Sequence, residues 1–360
     1  MLVRLSDPKT GATNLLRHCA EARAGERLLV ITEPPEHGYY SEDAVACIES
    51  AAQEMGLFMR RMDVGFSPSA PRLTPDRLAE IDRADVIVFL ARLGDQLRFA
   101  EMPAGKRIVV SFALDADAFG SPFGTVPYPA MEGLHRCVTT ALHRARSLRV
   151  RCPRGTDFSG APALRPGPGD DTTIRRFPLS VFPPIPASDF SGRVALCGFL
   201  TGTGSLYYDD YTLEFDGPLH AVFEHGRLIA FEGDPASVRA AEAQYDRVAA
   251  RFGIDRAAVH SWHAGIHPGC GYPTAARTNY ERWGGSAFGN PRILHLHTCG
   301  AYAPGEISWN VLDPTIEIDG TPVWEDGVFH AERLPGGAEI LAAFPEAAAI
   351  FAEPDRRVGL

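Results

Sequence analysis

Histidine is the side chain of this protein best suited to chemistry near neutral pH, as metal ligand, acid or base. Five of the twelve histidines fall close together, as His260, His263 and His267 and then His295 and His297. In an extended strand side chains alternate, so Ser261, His263, Gly265 and His267 share one face while His260, Trp262 and Ile266 share the other. His295 and His297 share one face of a second strand. Two such strands in one barrel would present His263 or His267 opposite His295 and His297, three imidazoles suited to zinc, iron or another transition metal. The fixed H-E-x-x-H spacing is absent, so the grouping depends on strands meeting in space. Tyr302, Glu306 and Asn310 complete the polar set after the second strand. Trp262, Trp283 and Trp309 offer an aromatic wall for a flat ligand, and ordinary packing explains them equally well. Cys270 and Cys299, each near histidines in sequence, offer a Cys-His nucleophile if their thiols are activated and inert packing if they are not.

The elements that must position these residues fall into two textures. At 360 residues the chain exceeds the usual single-domain size. Residues 1–150 alternate apolar strands with amphipathic helices, the pattern of an α/β domain on a mostly parallel sheet with flanking helices. Strands are predicted over 27–32, 58–63, 85–90 and 107–112, with helix starts at Ser41 and at Thr74-Pro75-Asp76 and a longer helix over 130–145. Glu33-Pro34-Pro35-Glu36 follows the first strand where a phosphate-cradling glycine motif would stand, so a nucleotide site there is unsupported. From about Arg149 the chain turns rich in Gly, Pro and Asp, and Pro153 to Asp171 reads as a loop or linker. Short alternating strands follow, interrupted by one clear helix over 235–252. Residues 151–360 are therefore expected to form a β-rich, barrel-like domain that carries the active site.

Composition narrows the partners. A formal charge of −10 argues against nonspecific binding to nucleic acid or anionic membranes. One basic run, His143 to Arg151 with Arg154, reads as a solvated helix-to-strand connection, with an anion or subunit contact as the alternative. The seven cysteines are scattered and lack a C-x-x-C pair, which favours reduced thiols. No apolar run approaches the roughly 20 residues of a spanning helix, and the first residues lack the apolar core of a secretory signal, so the expected location is cytoplasmic.

Several segments resemble one superfamily. Ala145 to Arg151 with Gly155-Thr156-Asp157-Phe158 is similar to the domain-crossing segment of 2,5-dihydroxypyridine 5,6-dioxygenases and of aminopeptidase T-like metalloaminopeptidases. Arg176 to Pro184 resembles their next strand, and Ile316 to Gly320 with Glu325 to Phe329 their closing strands. The resemblance implies an N-terminal α/β domain, a C-terminal barrel-like domain and homo-oligomers, with a pair of metal ions in the aminopeptidases and one ferrous ion in the dioxygenases. Ser180 and Ser261 stand where it implies metal ligands, and the closing His-x-Asp of both families is here Ser308-Trp309-Asn310. Hydroxyls and an amide are poor substitutes for such ligands. His295 and Tyr302 do reproduce the aminopeptidase spacing of a ligand histidine and an active-site tyrosine.

Three functions follow. The first is a metal-dependent hydrolase of aminopeptidase-like type acting on a small peptide-like or amide substrate. In it His263, His295 and His297 hold a zinc or iron ion, Glu306 acts as base on bound water, and Tyr302 polarises the carbonyl. The second is a ferrous ring-cleaving dioxygenase acting on a hydroxylated heteroaromatic. The third is a metal-free enzyme or binding protein in which His263 and His295 form an acid/base pair. In each, Ser180, Ser261, Trp262, Ser308, Trp309 and Asn310 are the candidate substrate-binding residues for a small molecule.

Overall fold

Three aliphatic runs early in the chain, Arg27–Thr32, Val86–Leu90 and Arg107–Ser111, form the centre of a five-stranded sheet in the spatial order Phe58–Asp63, Arg27–Thr32, Val86–Leu90, Arg107–Ser111, Arg175–Phe177. Every pairing in it is parallel. In the computed structural model, which describes residues 7–66, 73–98, 100–162, 174–202, 208–300 and 304–360, this sheet belongs to the first of two units. That unit comprises Met1–Glu132 and Gly167–Leu179; the second comprises Gly133–Pro166 and Ser180–Leu360. Sequence texture placed a single boundary at residue 150. The division falls instead inside the helix Tyr128–Arg144, and the chain returns to the first unit to add Arg175–Phe177. That strand is only three residues long, too short for an alternation to show.

Strand order reverses beside Arg27–Thr32, the place where open parallel sheets bind ligands at the carboxyl ends of their strands. Here a buried ion pair fills it. Arg92 donates from Nε to Glu33 Oε1 at 2.9 Å and from its backbone N–H to Oε2 at 2.8 Å, with side chains 3% and 1% exposed. The guanidinium lies 3.8 Å from the centre of the Phe66 ring. Burial pushes the Glu33 carboxyl up from its ordinary range, and the Arg92 charge opposes that rise.

Among the described residues the second unit has a two-stranded sheet, Phe199–Leu200 with Leu213–Glu214, and two larger antiparallel sheets. One has eight strands, running from Arg227–Gly233 through Leu219–Glu224, Phe190–Ala195, Asp157–Gly160, Leu148–Arg151, Thr315–Ile318 and Thr321–Glu325 to Val328–Phe329. The other has four, in the order Ile307–Leu312, Ile293–Thr298, Val259–Ala264, Ile185–Pro186. The sheets are layered through aromatic rings. Phe158 and Phe190 meet Trp262 edge-on at 5.8 and 5.7 Å, and Phe223 and Phe231 meet Trp309 at 6.2 and 6.4 Å. This is the β-rich second domain expected from the spacing of short strands.

Two local readings change. The Gly/Pro-rich stretch expected to be a linker contains Asp157–Gly160, a strand paired on both edges, with a diagonal ion pair between Arg149 and Asp157 at 2.8 Å. The basic run is the exposed helix-to-strand connection expected, from the helix end at Arg144 to the strand Leu148–Arg151, where Arg149 pairs with Asp157 and Arg151 with Glu317. The second unit also holds the helices Tyr280–Ser286, Gly337–Ala343 and Pro345–Ala352, each of two turns or so, too short for a helical period to stand out. Among the described residues, no helix is long and apolar enough to cross a membrane.

The Glu33–Arg92 pair gives a direct stability test. Arg92→Ala leaves a buried carboxylate alone and should cost about 3–5 kcal/mol in urea unfolding, whereas the double change Glu33→Leu with Arg92→Met should recover most of it. A single-variant loss under about 1 kcal/mol would contradict the burial of this pair.

Candidate metal centre

The four-stranded sheet is buried on both faces, and the two faces differ in chemistry. Its register aligns Ser261 with His297 and Ser308 in one row, and His263 with His295 and Asn310 in the next. Because side chains alternate, all of these share one face, and Trp262, Leu294, Leu296, Trp309 and Val311 share the other. The second face is the aromatic layer against the larger sheet. The first is a polar grid with almost no exposure, from 0% at Ser308 to 8% at His297.

Within the grid the imidazoles of His263, His295 and His297 converge, each able to offer a ligand nitrogen within 4.8 Å of the others. His263 Nε2 lies 2.6 Å from His295 Nε2 and 3.1 Å from His297 Nε2. The opposite nitrogens of two rings are held by acceptors. His263 Nδ1 is 2.9 Å from the Phe182 carbonyl, and His297 Nδ1 is 2.6 Å from Glu306 Oε1. A carbonyl or a carboxylate only accepts, so both Nδ1 atoms carry the hydrogen and both Nε2 atoms present lone pairs to the centre. These assignments follow from the hydrogen-bond partners. With all three rings neutral, His295 can supply one hydrogen between those nitrogens, and the remaining lone pairs face each other. A cation at the centre resolves the conflict.

The donor set fits a divalent metal ion. Neutral imidazoles with Nδ1–H on a carbonyl or carboxylate are the usual state of ligand histidines, and the outer partner fixes both tautomer and ring angle. Four-coordinate nitrogens about 2.0–2.1 Å from zinc are roughly 3.3 Å apart, so the rings need to spread by only some tenths of an ångström. The third ring is held by packing: Phe288 stacks on His295 with centroids 3.9 Å apart and planes 17° from parallel. Close main-chain approach supports this wall. A Cβ on Gly265, just past the His263 strand, would lie 2.2 Å from the Asn290 carbonyl oxygen.

The structure sorts the residues expected from sequence. It brings together His263, His295, His297, Glu306, Ser261, Ser308 and Asn310, with Ser308 donating to Glu306 Oε1 at 3.1 Å. Glu306, expected as the base on bound water, instead has Oε1 on the Nδ1 side of His297, away from the converging nitrogens. Trp262 and Trp309 are not beside the histidines as expected for substrate contacts. They point to the opposite face, fully buried, and Trp309 donates to the Tyr245 hydroxyl at 2.5 Å. Trp283 is also core, donating to the Val358 carbonyl at 2.7 Å. Ser180 lies against Gly289, next to Phe288, and its carbonyl accepts from Ile266 N–H. Tyr302 lies outside the described residues.

His260 is exposed, and its Nδ1 is 3.0 Å from Ser261 Oγ. His267 lies beyond the strand end, where its Nδ1 accepts from Gly269 N–H at 3.2 Å and burial pushes its pKa down to about 3. The thiols behave as packing groups, since burial pushes Cys270 well above its ordinary value and Cys299 up to about 12. Sequence reasoning missed Phe182 and Phe288. Nothing in a lone phenylalanine marks its carbonyl as an acceptor or its ring as a stacking surface.

The fold matches the superfamily that the sequence resembles. No family model matches the chain, and no curated protein matches it in sequence. Among solved structures it is similar to 2,5-dihydroxypyridine dioxygenase from Pseudomonas putida KT2440, with a TM-score of 0.57, 15% identity, and 89% of this chain and 96% of that chain covered. It is also similar to AmpT from Thermus thermophilus, with a TM-score of 0.50, 13% identity, and 90% and 98% of the two chains covered. At these identities the likeness is one of fold.

His267 supplies a pH test. Its folded pKa of about 3 lies below the ordinary imidazole value of 6.5, so the folded state binds fewer protons across that interval. The stabilisation is complete above the unfolded value and is lost as pH falls toward the folded one. Urea midpoints measured against pH should be flatter over this window in His267→Leu than in the wild type. Parallel profiles would contradict a neutral buried His267.

Proposed function

We propose that this protein is a metal-dependent hydrolase of aminopeptidase-like type, acting on a small peptide-like or amide substrate. The observation that carries the reading is the convergence of three buried imidazoles, with two Nδ1 atoms fixed on acceptors. His263, His295 and His297 would hold one divalent ion. Such an ion on three neutral nitrogens keeps its full charge, and when bound it makes water nucleophilic near neutral pH and polarises a carbonyl.

The remaining work belongs to the chain. The Phe182 carbonyl and Glu306 hold the Nδ1 hydrogens of His263 and His297, which fixes the tautomer that turns Nε2 of each neutral ring toward the centre as a ligand atom. Ser308, by donating to Glu306, keeps that carboxylate turned toward His297. The apolar layer behind the sheet and the Phe288 ring exclude water from the ligands. Asn310 and Ser261 add neutral polar groups to the same face. Glu306 is a positioning residue in this reading.

A ring-cleaving dioxygenase is the second reading, favoured by the fold shared with the Pseudomonas enzyme. The usual ligand set for non-haem iron oxygenases is two histidines and a carboxylate. Here the carboxylate nearest the imidazoles, Glu306, sits behind one of them at Nδ1.

Protein purified without a chelating tag should contain about one zinc or iron per chain by elemental analysis, and hydrolyse members of a panel of aminoacyl and simple amides. His263→Ala and His297→Ala should lose the metal, and Glu306→Gln should weaken its binding about 10- to 100-fold. A metal-free preparation that keeps full activity would defeat the proposal. Oxygen uptake on a hydroxypyridine panel after iron loading, without amide hydrolysis, would transfer the site to the second reading.

A further inference from the structure

Asn310 ends the row that begins with His263 and His295. Directly opposed residues of an antiparallel pair hold their Cβ atoms about 4.5–5.5 Å apart, so the Asn310 carboxamide stands beside the His295 ring on the polar face. The two ends of that carboxamide are differently employed. Nδ2 donates to the Phe199 carbonyl at 3.2 Å. A carbonyl only accepts, which fixes the NH2 on Phe199 and leaves Oδ1 as the other end. Oδ1 is buried without a hydrogen-bond partner among the described residues, in a residue only 1% exposed. The backbone carbonyl of Asn310 is separately satisfied, accepting from Cys197 N–H at 2.9 Å.

A buried acceptor left open is unfavourable unless something supplies a donor. Among the described residues no protein group supplies it, and the side chain is held in place by its other end. We infer that Asn310 Oδ1 is a specificity-determining acceptor for an N–H of a bound ligand, next to the ligand oxygen that meets a metal ion on His263, His295 and His297. The inference rests on the metal reading above. It narrows the ligand class to metal-binding amide-type compounds that keep an N–H beside the carbonyl: secondary or primary amides and hydroxamates, in preference to esters, carboxylates or N-alkylated analogues. A site built to hydrogen-bond a ligand donor rejects the analogue that lacks it, because its own polar group is then stranded.

The test uses zinc-loaded full-length protein and two probes, acetohydroxamate and N-methylacetohydroxamate, which bind metal through the same oxygens and differ in the N–H. Their affinities are measured by calorimetry, and their ratio is referred to the ratio for zinc ions in solution. Wild-type protein should favour acetohydroxamate by at least about tenfold beyond that reference. Asn310→Leu, of similar volume, should bind both alike while zinc content stays unchanged. The wild-type comparison carries the test alone if the variant does not fold. Equal relative affinities in the wild type, or zinc-loaded protein that binds neither probe, would overturn the assignment and leave the metal site standing. Failure of the wild type to bind zinc in the loading titration would overturn the metal reading itself.

Discussion

A sheet buried on both faces has no water to satisfy its polar side chains, and the rest of the site follows from that constraint. On one face of the four-stranded sheet, Trp262, Leu296 and Trp309 meet the aromatic side chains of the larger sheet, an apolar layer in which the Trp309 N–H is taken up by the Tyr245 hydroxyl. On the other, serines, histidines and an asparagine must satisfy one another or bind something that does. Phe182 and Glu306 take up the outer nitrogens of His263 and His297, and in doing so force lone pairs inward. The same hydrogen bonds that satisfy the outer edge of the cluster leave its centre in need of positive charge. A purely structural histidine cluster would be better served by tautomers that pair with one another.

The period-two alternation of a strand places His263 or His267 opposite His295 and His297, and the end of the strand at Ala264 leaves His263 in the cluster. Alternation could not say which face the ligand meets. Trp262 and Trp309, which suit either a ligand wall or ordinary packing, belong to the packing layer, because one residue along a strand means the opposite face. The role of Glu306 was illegible for another reason: a carboxylate in the right neighbourhood can address either nitrogen of an imidazole, and only the fold decides which. The α/β and β-rich halves were readable from texture. The crossing points were not, because one of them lies inside the continuous helix Tyr128–Arg144 and another precedes a three-residue strand.

Resemblance to the aminopeptidase and dioxygenase superfamily implied ligands at Ser261, Ser308 and Asn310, residues that cannot replace a carboxylate or an imidazole. The structure puts those positions in the same grid as His263, His295 and His297. The polar face thus carries both those positions and the three imidazoles, which occupy neighbouring cells two residues along or one strand across. Ser308 is used to hold Glu306, to which its hydroxyl donates.

The central claim is that three imidazoles, and no carboxylate, directly hold one ion. X-ray absorption spectroscopy of the zinc-loaded protein tests it most directly. The account predicts three histidine nitrogens at about 2.0–2.1 Å, with the multiple-scattering pattern of imidazole rings and one further light-atom ligand. A spectrum with two or fewer imidazoles, or with a protein carboxylate bound to the ion, would contradict it.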